Sequence, residues 1–132
     1  MNANNSSALK AYADVQTKVA VESADQHSLV GMLFSGIIDS LIAVEKSFDS
    51  CDLEARSTYV TKAQTILFSL RSTLDHDKGG EIARLLDSLY DYCIRQLSRS
   101  HAGGEIEPVR EVKGLIKQIG EAWDSMPTEA FR

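Results

Sequence analysis

Apolar residues recur every three or four positions through most of this 132-residue chain, which is the spacing of one face of an α-helix. Four such stripes can be followed between residues 25 and 125. In chain order, they consist of Val30, Leu33, Phe34, Ile37, Leu41, Val44 and Phe48; Tyr59, Val60, Ala63, Ile66, Leu67, Leu70 and Leu74; Ile82, Leu85, Leu86, Leu89, Cys93 and Leu97; and Val109, Val112, Leu115, Ile116, Ile119 and Trp123. The two prolines stand near the ends of the last stripe, so each stripe predicts one long amphipathic helix.

Residues that favour helix ends stand between the stripes. Asp25 and Asp52 can each accept hydrogen bonds from the free N–H groups of a following first turn, and Pro108 suits the first turn of the last helix. The glycine pairs at 79–80 and 103–104 are each predicted to end a helix. Because such short connections make successive helices antiparallel, the pattern predicts an all-α, antiparallel up-down four-helix bundle.

The length and apolar content fit a single domain with one core. Residues 25–125 form the predicted bundle, residues 1–8 are expected to be disordered, and residues 126–132 form a tail. Residues 9–24 combine a short helical pattern with a strictly alternating one. We expect this N-terminal helical or extended segment to pack across the bundle.

Charge and the N-terminal residues narrow the class of protein. The formal net charge is −5, the pI is about 5.1 and no basic stripe stands out, so nucleic acid is not an expected partner. The N-terminus lacks the features of a secretory signal, and we expect no apolar run to reach the roughly 20 residues that cross a bilayer. We therefore expect a cytoplasmic protein without stable membrane insertion, in which Cys51 and Cys93 are reduced.

Neither a catalytic nor a metal-ligating pattern stands out in the sequence. The three histidines lie at predicted helix ends or in a loop, where an imidazole more often serves the helix dipole and solvent than chemistry. No Glu-x-x-His pair, Gly-x-Ser-x-Gly motif or Cys-x-x-Cys motif occurs. We therefore expect no enzyme activity, no metal and no cofactor.

One motif nevertheless leaves alternatives open. His76-Asp77-Lys78-Gly79 is similar to the His-x-x-Lys-Gly motif of histidine phosphotransfer domains, which are also four-helix bundles. In those domains the His and the Lys share one helix face, whereas here a single residue separates them and they would point apart. A phosphotransfer bundle centred on His76 is the second hypothesis, and a helical adaptor that binds a folded partner is the third.

Several large residues fall outside the four stripes on a helical wheel. Phe68 and Met32 lie well to the side of their stripes, while Tyr90 and Ile94 widen one flank of the third helix. Large apolar patches on a monomer usually mark an interaction site, and amphipathic helices from a partner dock into such grooves. The excess of apolar surface therefore predicts a groove that holds another chain.

Five short segments match the signatures of one family. They are residues 9–12 (Leu-Lys-Ala-Tyr), 32–36 (Met-Leu-Phe-Ser-Gly), 78–83 (Lys-Gly-Gly-Glu-Ile-Ala) followed by 89–92 (Leu-Tyr-Asp-Tyr), and 121–123 (Glu-Ala-Trp). On these segments the chain resembles the FliS family of flagellar secretion chaperones from about Leu9 to Trp123. It departs from the family pattern at Leu85, where an Asn is usual, and at residues 25–26, where Ser-Pro is usual.

The resemblance implies a small antiparallel bundle that binds the disordered C-terminal part of flagellin, prevents its premature polymerisation and delivers it to the export gate of the flagellar type III apparatus. Free, such a protein is expected to be a monomer or a weak homodimer. Together with the helical wheel, the resemblance predicts a flagellin-binding set of Leu9, Tyr12, Val15, Val19, Met32, Phe68, Ile82, Tyr90 and Ile94.

Overall fold

The computed structural model describes residues 26–126, and four α-helices account for nearly all of them. They are α1 (Gln26–Asp49), α2 (Leu53–Ser72), α3 (His76–Gly103) and α4 (Glu107–Ser125). Both α1 and α3 pack against α2 and α4, and three-residue connections make successive helices antiparallel. The predicted all-α up-down bundle is therefore confirmed. Asp25, the segment 1–24 and residues 127–132 lie outside the described residues.

The apolar stripes of α1, α2 and α4 face the core as predicted. Their members that are buried are Leu33, Phe34, Ile37, Leu41, Val44, Val60, Ala63, Ile66, Leu67, Leu70, Val109, Val112 and Ile116. The remaining members of these three stripes are half-buried and pack against that core. The helical period thus identified the buried side of three helices.

The stripe of α3 was wrong in its first half. The stripe placed Ile82 and Leu85 on the core side, yet they are 68% and 60% exposed. Ile82 was also assigned to the predicted binding set, which requires an accessible side chain. Ala83 and Tyr90 occupy the core side instead, and Cys93 and Leu97 continue it as predicted. A register shift of one residue rotates the buried side of a helix by about 100°, and this part of α3 carries apolar residues in both registers.

Helix ends follow the local capping signals in part. Asp52 caps α2, because its Oδ1 accepts a hydrogen bond from the Ala55 N–H at 3.0 Å. Gly104 ends α3 in the left-handed conformation (φ 67°, ψ 32°), and Pro108 stands in the first turn of α4. These three ends agree with the sequence prediction.

The prediction that a helix ends at the first glycine pair was wrong. The helix α2 ends at Ser72, and Asp75 caps a new turn by accepting hydrogen bonds from the N–H groups of Asp77 and Lys78 at 3.1 and 3.0 Å. Gly80 interrupts α3 after this first turn, with φ 50° and ψ −121°, values that suit glycine. The glycine pair therefore breaks α3 near its start and does not end α2.

A mutual contact joins the start of α1 to the end of α4. The Trp123 indole N–H donates a hydrogen bond to the His27 carbonyl at 2.7 Å, and the His27 Nε2–H donates to the Trp123 carbonyl. The two rings stack with their centroids 5.1 Å apart. Further along, the Lys113 ammonium lies 2.6 Å from Glu45. These contacts fix the antiparallel register of α1 and α4.

By length and composition, α1 could cross a membrane, contrary to what the sequence reading had predicted. Phe34, Ile37 and Leu41 on this helix are buried against its neighbours. The core helix of a soluble bundle passes the same test as a membrane span. We therefore read α1 as a core helix.

Candidate functional site

One side of α3 carries exposed apolar side chains near the start of the helix. Ile82 and Leu85 share this side with the half-buried Leu89, at helical spacings of three and four. Tyr92 continues the same side, and its hydroxyl donates a hydrogen bond to Glu111 of α4 at 2.8 Å. This side of α3 therefore turns toward α4. We call Ile82, Leu85 and Leu89 the α3–α4 patch.

A polar junction closes one end of this patch. Glu111 accepts hydrogen bonds from both Tyr92 and Gln96, the latter at 2.9 Å. From Glu111, the side of α4 that faces α3 continues through the half-buried Leu115 and Ile119. The patch thus extends from the junction to the end of the bundle where α3 begins and α4 ends.

Another exposed apolar side chain lies on the other flank of α3. Phe68 of α2 is 55% exposed, and one turn before it Gln64 crosses to α3. The Gln64 amide donates hydrogen bonds to the Ile94 carbonyl at 2.9 Å and to the Ser98 hydroxyl at 2.8 Å. The aromatic ring therefore stands beside a polar contact that holds α2 against α3.

Ionic contacts stand on the other side of Phe68. The Arg71 guanidinium donates to Asp87 at 2.9 Å and to Asp91 at 3.2 Å, and Asp91 also accepts from Arg95 at 2.9 Å. The hydrogen bond with Asp87 raises the pKa of Arg71, and the same bond lowers the pKa of Asp87. These pairs hold α2 and α3 in one register while leaving the Phe68 ring exposed.

The predicted binding residues fall into four groups. Leu9, Tyr12, Val15 and Val19 lie outside the described residues. Phe68 and Ile82 are exposed, on opposite flanks of α3, and Met32 is half-buried on α1. Tyr90 and Ile94 are corrected, because they were expected to widen an exposed flank and belong to the core instead.

Tyr90 and Ile94 are 3% and 8% exposed, so neither lines an open surface of α3. Burial raises the pKa of Tyr90 to about 12 and, on the neighbouring core position, that of the Cys93 thiol to about 12. Both groups are therefore neutral at physiological pH. Tyr90 and Cys93 therefore have a structural role in the core. Tyr90 lies on the side of α3 that the predicted stripe did not include.

Leu85 was missed as a surface residue. The helical wheel placed it in the core stripe, where a leucine is ordinary, and nothing local to the chain says otherwise. The signal lay in the resemblance, since the Asn that is usual at this position is a residue that rarely occupies an apolar core. The 60% exposure of Leu85 fits a position where the family pattern that the chain resembles has a polar residue.

The polar side chains of the described residues do not form a metal site. Among residues 26–126, no group of three or more His, Cys, Asp or Glu side chains is placed to hold a metal ion. His76 and Lys78 are exposed in the first turn of α3, two positions apart. The features that distinguish this surface are its exposed apolar side chains.

Comparison with known proteins agrees with the bundle and its signatures. A family model described as "Flagellar protein FliS" matches residues 8–130. Over 125 residues the chain is 38% identical to the flagellar secretion chaperone FliS of Salmonella typhimurium, covering 94% of this chain and 93% of that protein.

More distant relatives carry the same description. The chain is 32% identical over 121 residues to the flagellar secretion chaperone FliS of Vibrio cholerae, covering 92% of this chain and 89% of that protein. It is 31% identical over 115 residues to that of Escherichia coli, covering 86% and 85%. The similarity therefore covers most of this chain in each case.

Proposed function

Since this chain belongs to the FliS family of flagellar secretion chaperones, we propose that its client is flagellin, bound through the disordered C-terminal segment of that protein. Bound in the cytoplasm, the segment is kept from premature polymerisation and is delivered to the export gate of the flagellar type III apparatus. The family is one of chaperones and not of enzymes.

The observation that carries the proposal is the α3–α4 patch. Ile82 and Leu85 are large apolar side chains that stand in water on a helix whose core side is already filled. Such surface on a small domain is typical of an interaction site. The spacing of its members along α3 suits an amphipathic helix of the client laid beside α3.

Phe68 supports a client without fixed structure. It lies on the α2–α3 flank, whereas the α3–α4 patch lies on the opposite flank of α3. One client segment that contacts both has to pass around α3. A disordered chain can do this because it folds on binding, and part of the contact energy offsets its loss of conformational entropy.

The remaining predicted contacts stay part of the proposal. Leu9, Tyr12, Val15 and Val19 belong to the N-terminal segment, and Tyr12 and Leu9 stand in one of the segments that match the family. We propose that they complete the client surface together with Met32. The free protein is proposed to be a monomer or a weak homodimer.

The test is a calorimetric titration with roughly the last 40–60 residues of the host's flagellin. Circular dichroism is recorded on the same mixture. We expect saturable one-to-one binding and a gain of helical signal. No heat with any flagellin segment would refute the proposal. Heat without added helix would favour the adaptor that binds a folded partner.

A matched pair of variants locates the site. Ile82→Ala with Leu85→Ala should weaken binding by about tenfold or more, since a loss of about 1.4 kcal/mol is tenfold in affinity. Leu53→Ala is the control, because Leu53 is 63% exposed at the opposite end of the bundle. Equal affinity of both variants would remove the α3–α4 patch from the site.

A further inference from the structure

Glu111 of α4 is held differently from the other carboxylates of the described residues. It accepts hydrogen bonds from the Tyr92 hydroxyl at 2.8 Å and from the Gln96 amide at 2.9 Å, both on α3. Both donors are neutral, and within residues 26–126 Glu111 takes part in no ion pair. No other carboxylate in this part of the chain accepts two side-chain hydrogen bonds without an ion pair. Its orientation is therefore fixed, although no ion pair neutralises its charge.

The basic side chains around Glu111 are engaged with other groups. The Arg99 guanidinium donates to the Gln96 amide oxygen at 3.3 Å and lies 3.8 Å from Glu105. Gln96 therefore stands between this cation and Glu111. The basic residues nearest to Glu111 along α4 pair with a carboxylate of α1 instead; they are Arg110 and Lys113, and their partner is Glu45. As far as the described residues go, the Glu111 charge is available to a partner.

The Glu111 carboxylate stands at the closed end of the α3–α4 patch. Tyr92, which donates to Glu111, follows Ile82 by ten positions on α3. At a rise of about 1.5 Å per residue, the charge lies about 15 Å along the helix axis from the exposed Ile82 side chain. A client helix laid beside α3 covers the same distance in about ten residues, so one such helix can contact both the apolar patch and the carboxylate.

We infer that Glu111 binds a basic side chain of the client, a Lys or an Arg about ten residues from the apolar client residue that covers Ile82. The inference rests on the proposed function, because it names the chemistry of the segment that lies on the patch. The hydrogen bonds from Tyr92 and Gln96 already order the carboxylate, so less side-chain freedom is lost when the ion pair forms. An acidic client residue at the same place would meet a like charge, so Glu111 also selects among segments of similar apolar pattern.

Removal of the charge alone is the first test. Glu111→Gln keeps the size of the side chain and an oxygen that accepts hydrogen bonds. In the titration with the C-terminal segment of the host's flagellin, it should weaken binding about two- to fivefold at low salt, the range for one exposed ion pair. The difference from the wild type should disappear near 1 M salt, where the screening length falls to about 3 Å.

A matched control carries the same change of charge on another side of α4. Glu121 lines a cleft with Gly31 and Phe34 of α1, and it forms no ion pair with the described residues. Glu121→Gln should therefore bind the flagellin segment as the wild type does. If Glu111→Gln and Glu121→Gln lose affinity equally, the effect belongs to net charge, and the inference of a specific contact is overturned.

A charge exchange identifies the client residue. Glu111→Lys should bind the segment more weakly than Glu111→Gln does, because a repulsion replaces the lost attraction. Each Lys and Arg of the segment is then replaced by Glu in turn. One of these segments should bind Glu111→Lys better than the original segment does, and should bind the wild type less well. Restoration by none of them would overturn the inference, and a thermal melt shows whether Glu111→Lys is folded.

The outcomes separate this inference from the proposed function. Equal affinities of the wild type and Glu111→Gln at low salt would overturn the role of Glu111 and leave the flagellin client standing. A loss of affinity that is the same at low salt and near 1 M salt would also overturn it, since an exposed ion pair is screened. No heat with the wild type would refute the proposed function and this inference with it.

Discussion

The break in α3 allows a sharp test, because two glycines with equally open Cβ positions differ in backbone conformation. A Cβ added at Gly80 or at Gly114 would have no atom within 4 Å. Gly80 has φ 50° and ψ −121°, whereas Gly114 lies within the regular helix α4. Substitution by alanine at these two positions therefore changes backbone energy and little else.

The two substitutions should have opposite effects on the free energy of unfolding. An L-residue held in the conformation of Gly80 costs about 1–3 kcal/mol. Alanine in place of glycine within a helix stabilises by about 0.5–1 kcal/mol. Gly80→Ala and Gly114→Ala should therefore differ by roughly 1.5–4 kcal/mol, with the first below the unsubstituted protein and the second above it.

Urea unfolding followed by circular dichroism measures this difference. With an m-value of about 1–3 kcal/mol/M, the two midpoints should be separated by about 0.5–4 M, at unchanged slope. Gly104→Ala calibrates the scale, because Gly104 has the milder left-handed conformation and a comparably open Cβ position. We expect Gly104→Ala to lower the free energy of unfolding by less than Gly80→Ala does.

One result would refute the reasoning. If Gly80→Ala stabilises the protein as much as Gly114→Ala does, then α3 is continuous through residue 80 in solution. The part of α3 that follows residue 80 would then carry Ile82 and Leu85 in a different register relative to the first turn from the one described. A change in the m-value would show that a variant no longer unfolds in a two-state manner, so that its midpoint could not be compared with the others.

Three further substitutions or reagents test other parts of the structure. Leu97 is fully buried, so Leu97→Ala should lower the free energy of unfolding by about 2–5 kcal/mol, and a thermal melt that hardly moves would contradict its place in the core. Arg71 lowers the pKa of Asp87, so the ion pair stabilises the fold above the ordinary carboxyl pKa and is lost as pH falls through the lower folded pKa. The stability difference between the wild type and Arg71→Gln should therefore shrink below about pH 4, and a constant difference would exclude the pair. Burial keeps the Cys93 thiol protonated, so iodoacetamide at pH 8 should modify Cys51 alone in the folded protein and both cysteines in urea. Two modifications without urea would show that Cys93 is accessible.

The number of helices and most of their ends could be predicted because they depend on neighbours in the chain. The apolar period is set within each helix, and Asp52, Gly104 and Pro108 act on the turn next to them. The Asp75 cap is equally local, but the sequence prediction placed the end of α2 at the glycine pair that follows it. The break at Gly80 then belongs to α3.

The buried side of α3 could not be predicted in the same way. Ile82 and Leu85 form one apolar row, and Tyr90 and Ile94 lie on another, so the period alone fits both. Packing against α2 decides between them, and the Gln64 contact to the Ile94 carbonyl is a part of that packing. Because the binding surface is whatever the core leaves outside, the same ambiguity carried over to the predicted site.

The order of the helices also bears on how quickly the protein becomes ready to bind. Each helix packs against the helix that follows it in the chain, across a connection of three residues, so most contacts join residues close in sequence. Folds with such low contact order typically form in microseconds to milliseconds. The pairing of α1 with α4, sealed by His27 and Trp123, is the long-range exception and closes the largest loop. Trp123 is the single tryptophan, so its fluorescence should report the last step of folding, when the bundle closes.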